Sequence, residues 1–277
     1  MVNELKEIYG SYSIPKEVYR LIQLEIDLQK EGLSLATIGL IPIDDYFYYY
    51  SITPPDLIPF ASTGGNGIHF GFLTDFHEVL ELKDAPIVCV SPTNDPPVRY
   101  VAKNFEEFMN LVVSVPYVEM LEQFCTVQDK DEMNEIIREN ASDLSNVLQI
   151  ERTLIFKRLQ QTFNAKSVDV LDYLEQAKME RKKKVSIATL DGLGIIGSNS
   201  GRSFSFAKDR NVGEKEIERM QSFLYSANKE EKLAFVRDAN YWYILTPDYD
   251  EAVMQLIVSL LQSLVLKDEA YRVLSKN

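Results

Sequence analysis

The stretch Ile58–Phe70, IPFASTGGNGIHF, decides how the chain is read. An apolar entry (Ile58, Pro59, Phe60) runs into three glycines in four positions, Gly64-Gly65-Asn66-Gly67, and leaves through Ile68, Phe70 and Phe72, which alternate with His69, Gly71 and Leu73. Alternation at period two marks a strand, and glycine or asparagine supplies the positive φ that a reversing chain needs. A phosphate-cradling P-loop would end in Gly-Lys-Ser/Thr, placing an ammonium and a hydroxyl on phosphate and magnesium. This loop has no such ending. The stretch therefore predicts a tight turn into an aromatic strand, with Gly64, Gly65 and Gly67 in a structural role.

Upstream, Ile14-Pro15 opens a helical pattern in which Val18, Leu21, Ile22, Leu24, Ile26 and Leu28 form an apolar face and Gly32 is the stop. Between that helix and the glycine turn lies Asp44-Asp45-Tyr46-Phe47-Tyr48-Tyr49-Tyr50. Tyrosine-rich runs favour strands. Two readings of its side chains stay open: an acidic tyrosine surface suited to protein recognition, or alternate tyrosines packed in the core. Downstream, Pro86–Val90 and Val98–Ala102 read as strands, and Asn104 caps a helix to Val113, with Glu107 in a capping-box position. Residues 117–184 read as mostly helical. Their basic end, Arg181 to Lys184, is read as a solvated helix terminus. Residues 185–207 read as strands joined by turns, 214–226 and 229–238 as helices, 241–246 as a strand and 250–266 as a buried helix. The fold class expected is α+β, with a mixed or antiparallel sheet flanked by helices in residues 1–115. Residues 116–277 are expected to form a second α+β part, and whether it is a separate domain stays open.

Of the 277 residues, 42 are acidic and 29 basic, a net charge of −13. The imbalance is local: residues 1–115 hold 16 acids and 7 bases, whereas 116–184 and 185–277 each hold 13 and 11. Such a field disfavours nucleic acid, whose binders cluster Lys and Arg, and speeds encounter with a basic partner. The opening residues lack a basic segment followed by an apolar one, and Ala252–Leu266 is shorter than the roughly 20 residues of a bilayer span. Cytoplasmic localisation, no membrane partner and two reduced thiols, Cys89 and Cys125, are the expectations; a disulfide between the two stays open.

Motifs for chemistry are sparse. Gly192-Leu193-Gly194-Ile195-Ile196-Gly197 satisfies G-x-G-x-x-G, but a dinucleotide fingerprint must open a helix. This one runs into Ser198-Asn199-Ser200-Gly201 and an alternating RSFSFA, which is hairpin chemistry. The only histidines are His69 and His77. Asp75 and His77 are close in sequence, yet no third and fourth ligand has metal-site spacing, and both are read as surface residues. Neither G-x-S-x-G nor a local cysteine signature is present. No catalytic residue, metal or cofactor is assigned.

The order of elements in residues 14–113 resembles the SUKH superfamily. The pieces are the helix from Ile14-Pro15, the Pro55-to-Ala61 segment ending Leu-Ile-Pro-Phe-Ala, the Gly64–Gly67 turn into an aromatic strand, the PIVCV strand, and the helix opening Asn104-Phe105-Glu106-Glu107-Phe108. In that family an acidic residue follows the glycine turn, where this chain has Asn66-Gly67-Ile68, so the turn role carries over and a ligand role does not. The superfamily contains bacterial immunity proteins and yeast cell-wall glucan-synthesis regulators. The resemblance implies a non-catalytic binding protein without cofactor, most directly an immunity protein (antitoxin) against a polymorphic or contact-dependent toxin, such as a basic nuclease domain. The alternatives are a regulatory scaffold like the yeast members, or a small-ligand-binding protein or enzyme working at residues 64–67 or 191–201. Asp44, Asp45, Tyr46, Tyr48 and Tyr50 are the expected partner contacts, with Asn66 and His69 at the rim.

Overall fold

The computed structural model describes residues 2–141, 146–208, 212–243 and 251–275. The architecture is α+β: among the described residues there are eleven α-helices, one five-stranded antiparallel sheet and one two-stranded sheet. The large sheet is a meander of β1 (Ile41–Pro42), β2 (Leu57–Ser62), β3 (His69–Leu73), β4 (Ile87–Val90) and β5 (Val98–Ala102), adjacent in that order. The helices are α1 (Val2–Tyr9), α2 (Lys16–Lys30), α3 (Phe105–Val112), α4 (Met120–Phe124), α5 (Lys130–Ala141), α6 (Asn146–Phe163) and α7 (Val170–Lys184), then α8 (Glu214–Ser226), α9 (Lys229–Tyr243), α10 (Glu251–Ser263) and α11 (Lys267–Leu274). The small hairpin, β6 (Val185–Ile187) with β7 (Ile195–Ile196), sits between α7 and α8.

The glycine stretch folds as its pattern dictates. Ser62 pairs with His69, the Thr63 N–H donates to the Ile68 carbonyl at 3.0 Å, and the Ile68 N–H donates to the Gly65 carbonyl at 3.0 Å. Gly64 and Gly67 take φ of +82° and +69°, with Asn66 at +51° between them. These are left-handed values that a β-carbon disfavours.

Each sheet face meets a different partner, which explains why β3 and β4 are buried at every position rather than at alternate ones. On one face Ile58, Phe60, Phe70, Phe72, Ile87 and Val101 pack against Leu5, Val18, Leu21, Phe105 and Phe108 of α1, α2 and α3. This core continues through Leu121, Ile155, Leu159 and Leu174, so it does not divide at 115/116. On the other face Leu57, Leu73, Val88, Val90 and Val98 meet Leu193 from the small hairpin. A third cluster unites Phe76 from the sheet region with α8 to α11. Asn104 caps α3 as expected, its Oδ1 accepting from the Glu107 N–H at 2.9 Å. The Glu107 carboxylate turns instead to the Tyr173 hydroxyl and to Lys103.

Four expectations are corrected. The tyrosine run is not a strand: its last sheet bond is Ile43 N–H to the Phe60 carbonyl, after which the Asp45 carboxylate takes the Tyr46 N–H. Acidic side chains that bond nearby backbone compete with ladders in this way. RSFSFA is not a strand either, because the Arg202 and Ala207 N–H groups go to the Glu231 and Glu216 carboxylates while Phe204 and Phe206 pack on Phe235. Tyr241–Tyr243 extend α9 beyond Asp238 instead of forming a strand, and 244–246 lie outside the described residues. Arg181 is buried rather than solvated. The G-x-G-x-x-G segment does form a hairpin turn, with Gly192 and Gly194 at φ +76° and +66°. Both cysteines are free and buried.

Candidate binding site: an acidic, aromatic cleft

The loop 43–50 leaves the short edge strand β1 and lies alongside the glycine turn, and a cleft of about 550 Å³ opens between them. All the expected contacts line it: Asp44, Asp45, Tyr46, Tyr48 and Tyr50 on one side, Gly64, Gly65, Asn66, Gly67 and His69 on the other. Two contacts explain the glycines. A β-carbon on Gly64 would come within 2.7 Å of the Ile41 side chain, and one on Gly67 within 2.5 Å of the Tyr50 ring. The turn therefore needs glycine for close approach as well as for φ. Gly65 has open space at its Cβ position and is not required in that sense.

His69 is the central correction. Expected at the rim, it is fully buried beneath the cleft. Its Nδ1 lies 2.8 Å from the Gly67 carbonyl and its Nε2 lies 3.2 Å from Thr53 Oγ1. A carbonyl only accepts, so Nδ1 carries the proton and Nε2 accepts from the threonine hydroxyl. Tyr50 stacks on the ring at 5.8 Å and Phe47 meets its edge at 4.8 Å. Burial pushes the imidazole pKa down to about 4, against the opposing Gly67 bond, so the ring is neutral at pH 7. His69 thus braces both walls from below.

Around this post the loop sorts its aromatics. Tyr49 is buried and Phe47 and Tyr50 half-buried, whereas Tyr46 and Tyr48 are 78% and 50% exposed. Tyr48 and Tyr50 stand edge to face, centroids 5.2 Å apart at 80°. The run therefore divides its aromatics between core and surface. Asp44 and Asp45 are exposed, and among the described residues they make no ion pair and no Lys or Arg lines the cleft.

A second set of acids behaves in the opposite way, and sequence reasoning missed it. Arg237 of α9 is fully buried; it bonds Asp56 at 2.6 Å and Asp191 at 3.2 Å and lies 3.5 Å from Asp75. Asp75 also takes a two-pronged bond from Arg181, 2.6 Å on each arm. Burial opposes the Arg237 charge, but the three carboxylates outweigh it and raise its pKa. Desolvation raises Asp56 to about 6 despite Arg237, and raises Asp238 next door to about 7 despite the bond from the Leu190 N–H. The expectation that Asp75 and His77 are surface residues holds for His77 and fails for Asp75. Asp75 is buried, and His77, 40% exposed at its side chain, turns to the buried Glu269 at 3.2 Å. This network is sealed from solvent and ties the sheet to the C-terminal helices. Its one sequence signal is Arg237-Asp238 set within the apolar stretch from Leu233 to Ala239.

Among the described residues no group of three or more His, Cys, Asp or Glu is placed to hold a metal ion, and no helix is long and apolar enough to cross a membrane. Compared with known proteins, the chain matches no family model and no curated protein.

Proposed function

We propose that the chain is a non-catalytic binding protein, an immunity protein held in the cytoplasm that neutralises a basic toxin domain by docking it on the cleft between residues 43–50 and 64–69. The observation that carries this reading is the pair of exposed carboxylates, Asp44 and Asp45, unpaired among the described residues, beside exposed tyrosines in a cleft that no described Lys or Arg lines. Exposed tyrosine is the residue type enriched in binding hot spots, and an uncompensated acidic rim accelerates capture of a basic surface. The resemblance of residues 14–113 to SUKH proteins supplies the toxin-antidote context.

The test is titration calorimetry with the C-terminal domain of a toxin-like protein encoded beside this one, at two salt concentrations. Tight binding that weakens with salt, and slower association for Asp44→Asn/Asp45→Asn, is the expected result. Binding indifferent to salt and to both substitutions would rule the cleft out.

A further inference from the structure

Resting on that reading, we infer that the cleft is a receptor for one arginine side chain of the protein partner, gripped between the tyrosine rings and the two aspartates.

The argument begins with charge. The cleft-lining residues include two carboxylates and no Lys or Arg, and their single imidazole is buried and held neutral with Nε2 accepting from Thr53, against the opposing bond to Gly67. Neither Asp44 nor Asp45 has an ion-pair partner among the described residues, although most other charged side chains near the sheet do: Asp56, Asp75, Arg99 and Glu122 are all paired. An acidic concavity whose counter-charge this chain does not supply fits a cation supplied from outside.

The walls then narrow the kind of cation. Tyr48 and Tyr50 meet at close to a right angle, giving two adjoining aromatic walls, and Tyr46 stands beside them almost wholly exposed. Tyr50 is fixed by His69 stacked against it and by Gly67 packed under its ring, so this wall is set before a ligand arrives. Aromatic faces attract cations through the ring quadrupole, arginine more often than lysine. A planar guanidinium can stack on a ring while its N–H fork reaches a carboxylate, which a compact ammonium cannot do as well. At about 550 Å³ the cleft lies within the range of roughly 300–1,000 Å³ typical of ligand pockets, wider than a flat protein contact requires. The molecule already makes this kind of contact elsewhere: Arg237 lies over the Phe76 ring at 5.2 Å while bonded to Asp56.

The experiment titrates the full chain with N-acetyl-arginine methylamide and, separately, with its uncharged near-isostere N-acetyl-citrulline methylamide, following backbone amide shifts by NMR. The inference expects saturable shifts confined to residues 44–50 and 64–69 with the arginine compound, and at least fivefold smaller ones with citrulline. Asp44→Asn/Asp45→Asn and Tyr48→Leu should each weaken the arginine response about tenfold, whereas Tyr48→Phe, which keeps the ring, should retain it. Equal responses to both compounds, or shifts spread over the acidic residues of α5 as well, would overturn it. A companion measurement with the toxin-like domain separates the two claims. If that domain binds and Asp44→Asn/Asp45→Asn weakens it, but the arginine compound gives no saturable shift, the arginine receptor is wrong and the docking face stands. If the domain binds the variant as well as the wild type, the docking face falls too.

Discussion

Two groups of aspartates, indistinguishable as letters, meet opposite fates in this fold. Asp44 and Asp45 are exposed with no counter-ion among the described residues, while Asp56, Asp75 and Asp191 are buried around Arg237 and Arg181. The first pair leaves its charge available to a partner. The second set spends its charge inside the molecule, where three carboxylates against two guanidiniums leave an excess of negative charge in a poorly solvated place. Desolvation is the main reason the Asp56 and Asp238 pKa values rise, with neighbouring carboxylates adding to it, while those carboxylates raise the Arg237 pKa against its own burial. A carboxylate's neighbourhood, not its spacing along the chain, decides whether its charge faces outward or is spent within the fold.

The sharpest way to break the comparison is Arg237→Met. Removing one partner of a buried ion cluster strands the others, so a loss of about 3–5 kcal/mol is expected. Chemical denaturation reads it directly, and a loss under about 1 kcal/mol would mean that water reaches the cluster and the contrast with Asp44 and Asp45 is overstated.

Next comes pH. Asp238 has a folded pKa near 7, above the ordinary carboxylate value, so the folded protein holds its proton more tightly than the unfolded chain and stability from this group falls as pH rises from about 4 to 7. The size is on the order of 4 kcal/mol. Asp238→Asn should therefore be more stable than wild type at pH 8 and about equal at pH 4, measured as the difference between the two denaturation curves at each pH. His69 in the cleft runs the other way: its folded pKa is lowered, so its contribution is present above about 6.5 and is lost as pH falls towards 4. An NMR titration should find the imidazole neutral down to about pH 4; a midpoint near 6.5 would show that the 43–50 loop leaves the ring open to water.

A smaller effect belongs to the turn. Gly67→Ala forces a side chain into left-handed backbone and into the Tyr50 ring, for a loss of about 1–2 kcal/mol. Gly65→Ala, with open space, should change stability by less than about 0.5 kcal/mol. Similar losses at both positions would separate the turn from the tyrosine wall. Smallest of all is the effect of Asp44→Asn/Asp45→Asn on stability, within about 0.5 kcal/mol because neither side chain is paired. A clear destabilisation would place these aspartates with the buried set.

Much of this molecule is written locally. The strands at 69–73, 87–90 and 98–102, the capped helix after Asn104, the helix from Lys16 and the glycine turn follow from period-two or period-3.6 patterns and from residues that bond or turn within a few positions of themselves. The α+β class and a sheet, mixed or antiparallel, were legible for that reason, and the fold made it antiparallel throughout. The cleft was legible only in its parts, since the acidic tyrosine run and the glycine turn each stood out, but their meeting depends on Tyr50 fitting onto Gly67. Burial of His69, the pairing of Asp75 with Arg181 across 106 positions, and the insertion of Arg237 between Asp56 and Asp191 had no local signature. Hydrophobic periodicity states which face of an element turns inward, but a buried charge is settled by partners brought from distant parts of the chain. Only the packing of the C-terminal helices against the sheet decided which acids were neutralised within the fold and which were left to face outward.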